Sequence, residues 1–476
     1  MLISTFVFLF LSVSILELCI TMQGQKDIQE LIGFLFNQID ELKQVIEELK
    51  SENEELKSKL ADYQTKKNSN NSSKPPSSDF SNLKKTKSLK ESSGKKVGGQ
   101  PGHKGSSMKM VSNPDFTEGH QPSYCNGCGN DLSNVDPQLF GKRQVVDIPE
   151  ITRIVTEHQV YKKACSCGCV SKGSYPIGVD APICYGKNTQ ALIAYLSARQ
   201  YIPYKRLEEI LRSVFGLNIC QGSIKNILDK TSEKLVPMYE VIRRSVLNSP
   251  VVGGDETSVN INGKNNWVWT FQNDKATYIG IHPRRGYVAI EELMPEGFEN
   301  TIIVSDCWAS YFKINAKSHQ ICTAHILREL QYLTERYKNQ TWSGRLTKLI
   351  KVALKTHRSP NIEPDIINRI TNKLKEFLNE VIDKSFKKII ALQNRLIKYQ
   401  DYLFLFLKNK LVPPDNNGSE RAIRNFKVKQ KVSGFFKTNK GAANYATLRS
   451  VCDTAIKNNQ NPLIPFKLAA ACRSPE

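Results

Sequence analysis

The chain has 476 residues, of which 40% are hydrophobic, so it is long enough to contain several domains with buried cores. Lysine and arginine number 67 against 46 aspartates and glutamates, a formal net charge of +21. This surplus argues against an enzyme that acts only on small molecules, and it favours a polyanionic partner such as nucleic acid or an anionic membrane. Five of the twelve cysteines lie between Cys125 and Cys169, which favours metal binding over a secreted disulfide framework.

Residues 1–21 are an apolar N-terminal extension that is long enough to touch a membrane. No lysine or arginine precedes the apolar run, as a signal peptide would normally require, and Met22 offers a second start site. Three interpretations therefore stay open: an over-extended start codon, a signal or anchor, and a buried helix.

Residues 22–65 predict a coiled coil. Isoleucine at one seam position and leucine at the other favour two parallel strands, and Asn53 at the seam would fix their register. The helix therefore predicts a dimer, with an amphipathic helix packed on its own domain as the alternative, since the heptads span only about four repeats. The two seams are Ile32, Ile39, Ile46, Asn53 and Leu60, and Leu35, Leu42, Leu49, Leu56 and Tyr63.

Residues 66–105 change to serine, asparagine, glycine and lysine, with ten lysines against only Asp79 and Glu91. This composition cannot form a core, so it predicts a disordered basic linker that neutralises DNA phosphates without reading bases. A linker that is merely solubilising is the alternative. The candidate DNA-binding lysines are Lys84, Lys85, Lys95 and Lys96.

Residues 106–180 predict a zinc-binding module that resembles a zinc ribbon. Cys125 and Cys128 form a Cys-x-x-Cys pair, and four thiolates suit a closed tetrahedral site for structural Zn²⁺. The other two ligands are Cys165 and either Cys167 or Cys169. His120 and His158 lie nearby as reserves, and contact of this module with DNA stays open.

Residues 181–250 predict a helical domain. A helix over 204–215, a break at 216–218 and a restart near Ser223 have the spacing of a helix-turn-helix. A helical hairpin that only packs against its neighbours is the alternative.

Residues 251–476 switch to short strands, predicted at 251–254, 267–273, 276–281 and 301–305. Asp255 and Asp306 each follow such a strand, where side chains of a mixed sheet converge on a cleft. Carboxylates suit hard divalent cations, and phosphoryl transfer uses two of them about 4 Å apart. Aspartates at strand ends are also routine turn residues, so these two alone decide nothing.

A helix beginning after Pro414 supplies a third carboxylate. Its period places Glu420, Arg424, Lys427 and Lys431 on one face, where a metal ligand would be followed by a basic ladder for the DNA backbone. The alternative is a capping box formed by Asn417 and Glu420, with the cations merely solvated.

With these motifs in one order, the chain resembles transposases of the insertion-sequence-66 family over nearly all of its length after Met22. A departure occurs at Ser433-Gly434-Phe435-Phe436, just before a C-terminal helix at 441–447 that also fits the family. Besides the cysteine pairs, the signatures are NNSSKPPSSD at 70–79, GGQPGHKG at 98–105, GDET at 254–257, SDCWASY at 305–311, CTAHILREL at 322–330 and NNGSERAIR at 416–424.

The resemblance implies an α/β fold: an RNase-H-like catalytic core with a helical insertion at about 345–412, preceded by the coiled coil, zinc module and helical domain. It also implies an Asp-Asp-Glu transposase in which Asp255, Asp306 and Glu420 hold Mg²⁺ or Mn²⁺. Strand cleavage by water would be followed by attack of the freed 3′ hydroxyl on target DNA. His325 and Arg328 match the motif after the second aspartate, and they either face the scissile phosphate or knit the core.

The implied partners are double-stranded DNA, as element ends and target, a second copy of the chain, and accessory transposition proteins. We expect a cytoplasmic, nucleoid-associated protein, with a membrane or signal role of residues 1–21 left open. The rival functions are a catalytically inactive zinc-containing DNA-binding protein derived from a transposase, and a membrane-anchored protein whose basic linker lies on anionic lipid.

Overall fold

The structure is a computed structural model that describes residues 25–65, 67–68, 71–72, 102 and 108–472. The apolar extension at 1–21 and the candidate lysines Lys84, Lys85, Lys95 and Lys96 therefore lie outside the described residues. The described chain forms two compact units. The first contains the N-terminal helix and Thr323–Asp401. The second contains the described residues between 102 and Cys322, together with those from Tyr402 onward.

The secondary structure alternates between helical stretches and one group of strands. The helices are α1 Gln25–Gln64, α2 Lys187–Ala198, α3 Tyr204–Phe215, α4 Gln221–Lys234, α5 Val236–Leu247, α6 Tyr287–Leu293, α7 Thr323–Arg336, α8 Trp342–His357, α9 Pro364–Asn379, α10 Lys387–Lys398, α11 Leu405–Lys408, α12 Asn417–Ser433, α13 Asn439–Lys457 and α14 Leu463–Ala471. The strands are β1 Lys162–Ala164, β2 Val170–Lys172, β3 Val251–Ile261, β4 Lys264–Gln272, β5 Thr277–His282, β6 Phe298–Ser305 and β7 Ala316–Ile321.

The second unit is built on a five-stranded mixed sheet in the order β5-β4-β3-β6-β7. Strands β3, β4 and β5 form an antiparallel meander, whereas β6 and β7 run parallel to β3. The parallel pairing places the first half of β3 beside the end of β6, because Gly253 pairs with Val304. The fold is therefore mixed α/β, as the sequence predicts.

Strand β3 is longer than predicted, so Asp255 lies within the strand instead of at its end. Beyond Asp255 the strand continues to Ile261 and pairs with β4 through a two-residue turn. In that turn Asn262 and Gly263 have φ values of 49° and 78°, the left-handed conformation that asparagine and glycine accept most readily. The prediction of a strand that ends at Gly254 was wrong, because the Asn-Gly turn extends β3 to Ile261.

Helices α2 to α5 precede the sheet. Helix α13 packs against three of these helices and against β5, and α14 packs against α2 and α4. Strand β5 lies at the sheet edge, where unpaired backbone groups would otherwise face solvent. There Ser450 Oγ of α13 accepts from Ile279 N at 2.9 Å, and Thr454 Oγ1 accepts from Thr277 N at 3.1 Å. Helix α13 therefore protects this edge while it covers the core.

Helix α3 has the bounds that the sequence predicts, and it ends at Gly216, whose φ of 64° is left-handed. Helix α4 begins at Gln221, two residues before the predicted restart. It buries Ile224, Ile227 and Leu228 and exposes Gln221 and Lys225. A helix-turn-helix that reads DNA stays a prediction.

In the first unit, the C-terminal end of α1 is anchored on α7 and α10. The carboxylate of Asp62 accepts from Tyr332 Oη at 2.9 Å and pairs with Arg336 and Lys388. The Arg336 side chain is only 1% exposed. Asn71, inside the predicted linker, is also buried, and its Nδ2 donates to Glu335 at 2.7 Å. The helical unit therefore extends at least to Asn71.

The seam of α1 itself is exposed. Between Ile32 and Leu60 its isoleucines and leucines are 38% to 58% exposed, except for the half-buried Leu35. This stripe therefore packs against no other described part of the chain. None of the helices in the described part of the chain combines the length and apolar content that spanning a bilayer requires.

Candidate active site

Asp255 lies within β3, and Asp306 directly follows the neighbouring parallel strand β6. Gly253 on β3 pairs with Val304 on β6, and each aspartate comes two residues later. Because side chains alternate with a period of two, both aspartates point to the same face of the sheet. The backbone N–H of Glu256 donates to Asp255 Oδ1 and that of Trp308 donates to Asp306 Oδ1, each at 3.0 Å, which orients both aspartate side chains.

Helix α12 brings Glu420 to this face by an unusually close approach to β3. A Cβ at Gly253 would lie 2.5 Å from Ser419 Oγ and 2.6 Å from Asn416 Oδ1, so only glycine leaves room for the helix. Asn416 Nδ2 donates to Gly254 O at 2.6 Å, and Asn416 Oδ1 accepts from Ser419 Oγ at 2.6 Å. The Asn416 side chain therefore links the residue before Asp255 to the residue before Glu420.

The three acidic groups interact electrostatically. The pKa of Asp255 is raised well above its usual value, because burial disfavours the charged carboxylate and the charges of Glu256, Asp306 and Glu420 repel it. Such a set of oxygen donors fits a hard divalent cation, which would relieve the repulsion. In the part of the chain that the structure describes, no group of three or more His, Cys, Asp or Glu side chains is already arranged to hold a metal ion.

The capping box considered for Glu420 is not formed. Asn416 occupies the N-cap position of α12, one residue earlier than predicted, but its side chain makes no capping hydrogen bond to the backbone of the first turn. The Asn416 side chain instead bridges to β3. Asn417 lies inside the helix, and its backbone N–H donates to Asp415 Oδ1 at 3.1 Å. The N-terminus of α12 is thus fixed by contacts with the sheet.

The three basic residues on the predicted face of α12 differ in their exposure to solvent. Arg424 and Lys431 are exposed, as binding of a DNA backbone requires. Lys427 is half-buried, and its ammonium group donates to Ser258 O of β3. Its pKa is lowered, first by burial and then by the charge of Lys431. Lys427 therefore contacts the protein's own strand, which the helical period alone could not reveal.

A second group of residues beside the aspartates was missed from the sequence. The Glu256 carboxylate, only 2% exposed, accepts from Tyr311 Oη at 2.6 Å and pairs with Arg285. The Arg285 guanidinium lies over the rings of both Trp267 and Trp308, at 4.8 and 4.2 Å from their centroids. The motifs at 254–257 and 305–311 contain three of these residues, but no local signal connects them with Arg285.

His325 and Arg328 lie on α7, in the first unit. Arg328 Nε donates to Ala324 O at 3.2 Å, within the same helix. A role of these two residues beside the carboxylates stays a prediction.

The cysteines of the predicted zinc module lie in two turns that each contain a left-handed glycine. In the first, Gly129 N donates to Cys125 O at 2.9 Å, and Gly129 has φ 72°. In the second, between β1 and β2, Gly168 N donates to Cys165 O at 2.9 Å, and Gly168 has φ 85°.

Backbone N–H groups also point at the sulfur atoms of these turns. They lower the pKa of Cys125, through Cys128 and Gly127, and that of Cys167, through Cys169. Both turns therefore favour the thiolate, which is the form that binds zinc.

Models of known protein families match three parts of the chain. A model of the zinc-finger binding domain of transposase IS66 matches residues 122–168, and a family of unknown function matches residues 34–109. A search of curated proteins found no match. The model of the Transposase IS66 family matches residues 182–444, more than half of the chain, and includes all three acidic residues. This confirms the resemblance drawn from the motifs, and the chain therefore belongs to the IS66 family of transposases.

Proposed function

We propose that this chain is an active transposase in which Asp255, Asp306 and Glu420 hold the catalytic divalent ions. One observation carries the proposal: a strand register that aligns the two aspartates, with Glu420 close enough to raise the pKa of Asp255. Perturbed carboxyl groups at a strand edge are typical of functional sites, because a fold gains no stability from mutual repulsion.

The sheet supports an RNase-H-like core. Its order β5-β4-β3-β6-β7 combines an antiparallel meander with parallel strands, as the resemblance implies. Helices α7 to α11 separate the second aspartate from the helix of Glu420, and α8 to α11 lie where the helical insertion is expected. The core would thus bring distant carboxylates together, while the insertion leaves the sheet intact.

The chain's own residues would hold and orient the DNA. Mg²⁺ or Mn²⁺ at the three carboxylates would supply positive charge to the attacking and leaving oxygens of an in-line displacement. Arg424, one turn after Glu420, and Lys431 would hold the DNA backbone along the exposed face of α12. The substrate would be double-stranded DNA, both at the element's ends and at the target.

A structural Zn²⁺ would be held by Cys125, Cys128, Cys165 and Cys167. The choice of Cys167 over Cys169 is supported by the two turns, since the left-handed Gly168 follows Cys167 as the left-handed Gly129 follows Cys128. The second turn is one residue shorter than the first, since Gly168 N donates three residues back to Cys165 O whereas Gly129 N donates four residues back to Cys125 O. On this assignment Cys169 would be the spare thiol.

The exposed seam of α1 supports dimerisation with a second copy of the chain. Isoleucine and leucine side chains gain little on an isolated helix in water, but a partner helix with the same heptads would bury them. A dimer suits an enzyme that has to bring two DNA ends together. Accessory transposition proteins remain an expectation from the family resemblance.

The proposal is tested by strand cleavage and joining on a duplex taken from an end of the element that carries this gene, with Mg²⁺. Glu420→Gln should bind the duplex as the wild type does but lose cleavage by orders of magnitude, because it loses a charged ligand. Glu299→Gln is the matched control, since this exposed glutamate lies at the opposite end of β6 from Asp306.

Two results would contradict the proposal. Equal cleavage by the wild type and Glu420→Gln would remove Glu420 from the mechanism. A wild type that binds the duplex but cleaves with neither Mg²⁺ nor Mn²⁺ would favour the rival function, an inactive zinc-containing DNA-binding protein.

A further inference from the structure

Arg285 is held rigidly beside the candidate active site by contacts on three sides. Its Nε and Nη2 donate to Glu256 Oε1 at 3.0 and 2.7 Å. The guanidinium also lies over the rings of Trp267 and Trp308. These contacts remove most of the rotational freedom of a side chain that is normally flexible, so a ligand of Arg285 would meet a preorganised group.

The same arrangement leaves one edge of the guanidinium open. No described residue accepts a hydrogen bond from Nη1, and 41% of the side chain is exposed to solvent. The carboxylate that binds the other edge is 2% exposed, so Glu256 holds Arg285 from inside the protein. An arginine that served only to neutralise Glu256 would not need to present its second edge to solvent.

Arg285 is connected to both aspartates by its contacts. Glu256 directly follows Asp255 in the chain, and its carboxylate also interacts with the charge of Asp306. Trp308, the nearer ring, donates its backbone N–H to Asp306 Oδ1. As consecutive strand residues, Asp255 and Glu256 point to opposite faces of β3. A ligand on the open edge of Arg285 would therefore approach the aspartates from the face of the sheet that Glu256 occupies.

We propose that the open edge of Arg285 binds a DNA phosphate next to the one that is cleaved. A planar guanidinium with two outward N–H groups matches the geometry of a phosphodiester. A cation fixed at this position also offsets the repulsion that the surrounding carboxylates would exert on an approaching DNA strand. This inference rests on the proposed function, because it takes the three carboxylates as the cleavage site.

The test is DNA binding in Ca²⁺, on a short duplex, over a series of NaCl concentrations. Loss of one phosphate contact lowers the slope of log K against log salt by about 0.9. We expect this change in Arg285→Gln, with a rise in Kd of roughly tenfold. An unchanged slope in a folded Arg285→Gln protein would overturn the proposal.

Arg345→Gln is the matched control. Arg345 is 45% exposed, lies over the Phe377 ring and pairs with Glu380, but that carboxylate accepts from both of its Nη atoms. It therefore shares the environment of Arg285 without the open edge. We expect no change in its salt slope, and a slope that falls equally in both variants would overturn the proposal.

Neutral methylphosphonates on the DNA identify the contact from the other side. A methylphosphonate next to the cleaved position should weaken binding to the wild type about tenfold and to Arg285→Gln hardly at all. Should Arg285→Gln fail to fold, Arg285→Lys provides the comparison, since a lysine keeps the charge beside Glu256 but has no second edge. The proposal is overturned where the methylphosphonate effect is the same in wild type and variant.

These outcomes are independent of catalysis, because binding is measured without cleavage. Absence of wild-type cleavage would contradict the proposed function and leave the phosphate contact standing. Normal cleavage together with an unchanged salt slope would contradict the contact alone.

Discussion

Adding a single methyl group at Gly253 tests whether the approach of α12 to β3 positions the candidate active site. The new Cβ would meet Ser419 Oγ at 2.5 Å, Asn416 Oδ1 at 2.6 Å and Gln272 Nε2 at 2.8 Å. Ordinary van der Waals contact begins at 3.4 Å, so the first of these atoms has to move by about 0.9 Å. Two of the three atoms belong to the buried start of α12, which is hydrogen-bonded to Gly254 O and has little room to adjust.

We expect Gly253→Ala to lower the free energy of unfolding by about 1–3 kcal/mol, the usual cost of overpacking. The larger effect should be on strand cleavage, because a displacement of about 1 Å in a catalytic group can reduce the rate roughly 100-fold. Urea unfolding and the single-turnover cleavage rate measure the two effects separately.

Gly344→Ala is the matched control for the change in composition. Gly344 lies within α8, and an added Cβ there would meet no atom within 4 Å. Alanine in a helix is more favourable than glycine by about 0.5–1 kcal/mol, so this variant should be slightly more stable than the wild type. A Gly253→Ala protein that kept both its stability and its cleavage rate would refute the close approach as the device that positions Glu420.

Three further predictions concern charge, zinc and association. In Mg²⁺-free, Zn²⁺-supplied buffer, Asp255→Asn should raise the free energy of unfolding at neutral pH. The raised pKa of Asp255 makes the stability of the wild type fall as pH rises from about 4 toward that pKa, and the neutral asparagine avoids this loss. In urea titrations the gain should disappear near pH 4, which is about the usual pKa of aspartate. Zinc analysis should show less than one Zn²⁺ per chain in Cys167→Ser but a full complement in Cys169→Ser, and the opposite pattern would reverse the ligand assignment. Leu49→Lys, at the seam of α1, should shift the protein to monomer in sedimentation experiments, whereas the off-seam Glu48→Lys should not; equal behaviour of the two would refute the coiled coil.

Sequence patterns identified those features that depend on near neighbours. The heptads predicted α1, and Gly216 ended α3 where expected, because both follow from the conformations that a few adjacent residues prefer. The cysteine turns and the acidic residues were found through short motifs, and the family comparison confirmed the family that those motifs indicate. The strands were predicted less well: β7 was missed, since its Ala-Lys-Ser-His-Gln start lacks the alternation of a half-buried strand.

Only the tertiary structure decided which side chains meet. Strand register aligned Asp255 with Asp306, and the absence of a side chain at Gly253 allowed the start of α12 to reach them. The contacts of Lys427 with Ser258 and of Arg285 with two tryptophan rings likewise join residues that are far apart in the chain. Such contacts depend on how strands pair and helices pack, and these depend on the whole folded chain. The sequence by itself therefore determined the chemical groups that this transposase carries, whereas packing determined which of them can act together.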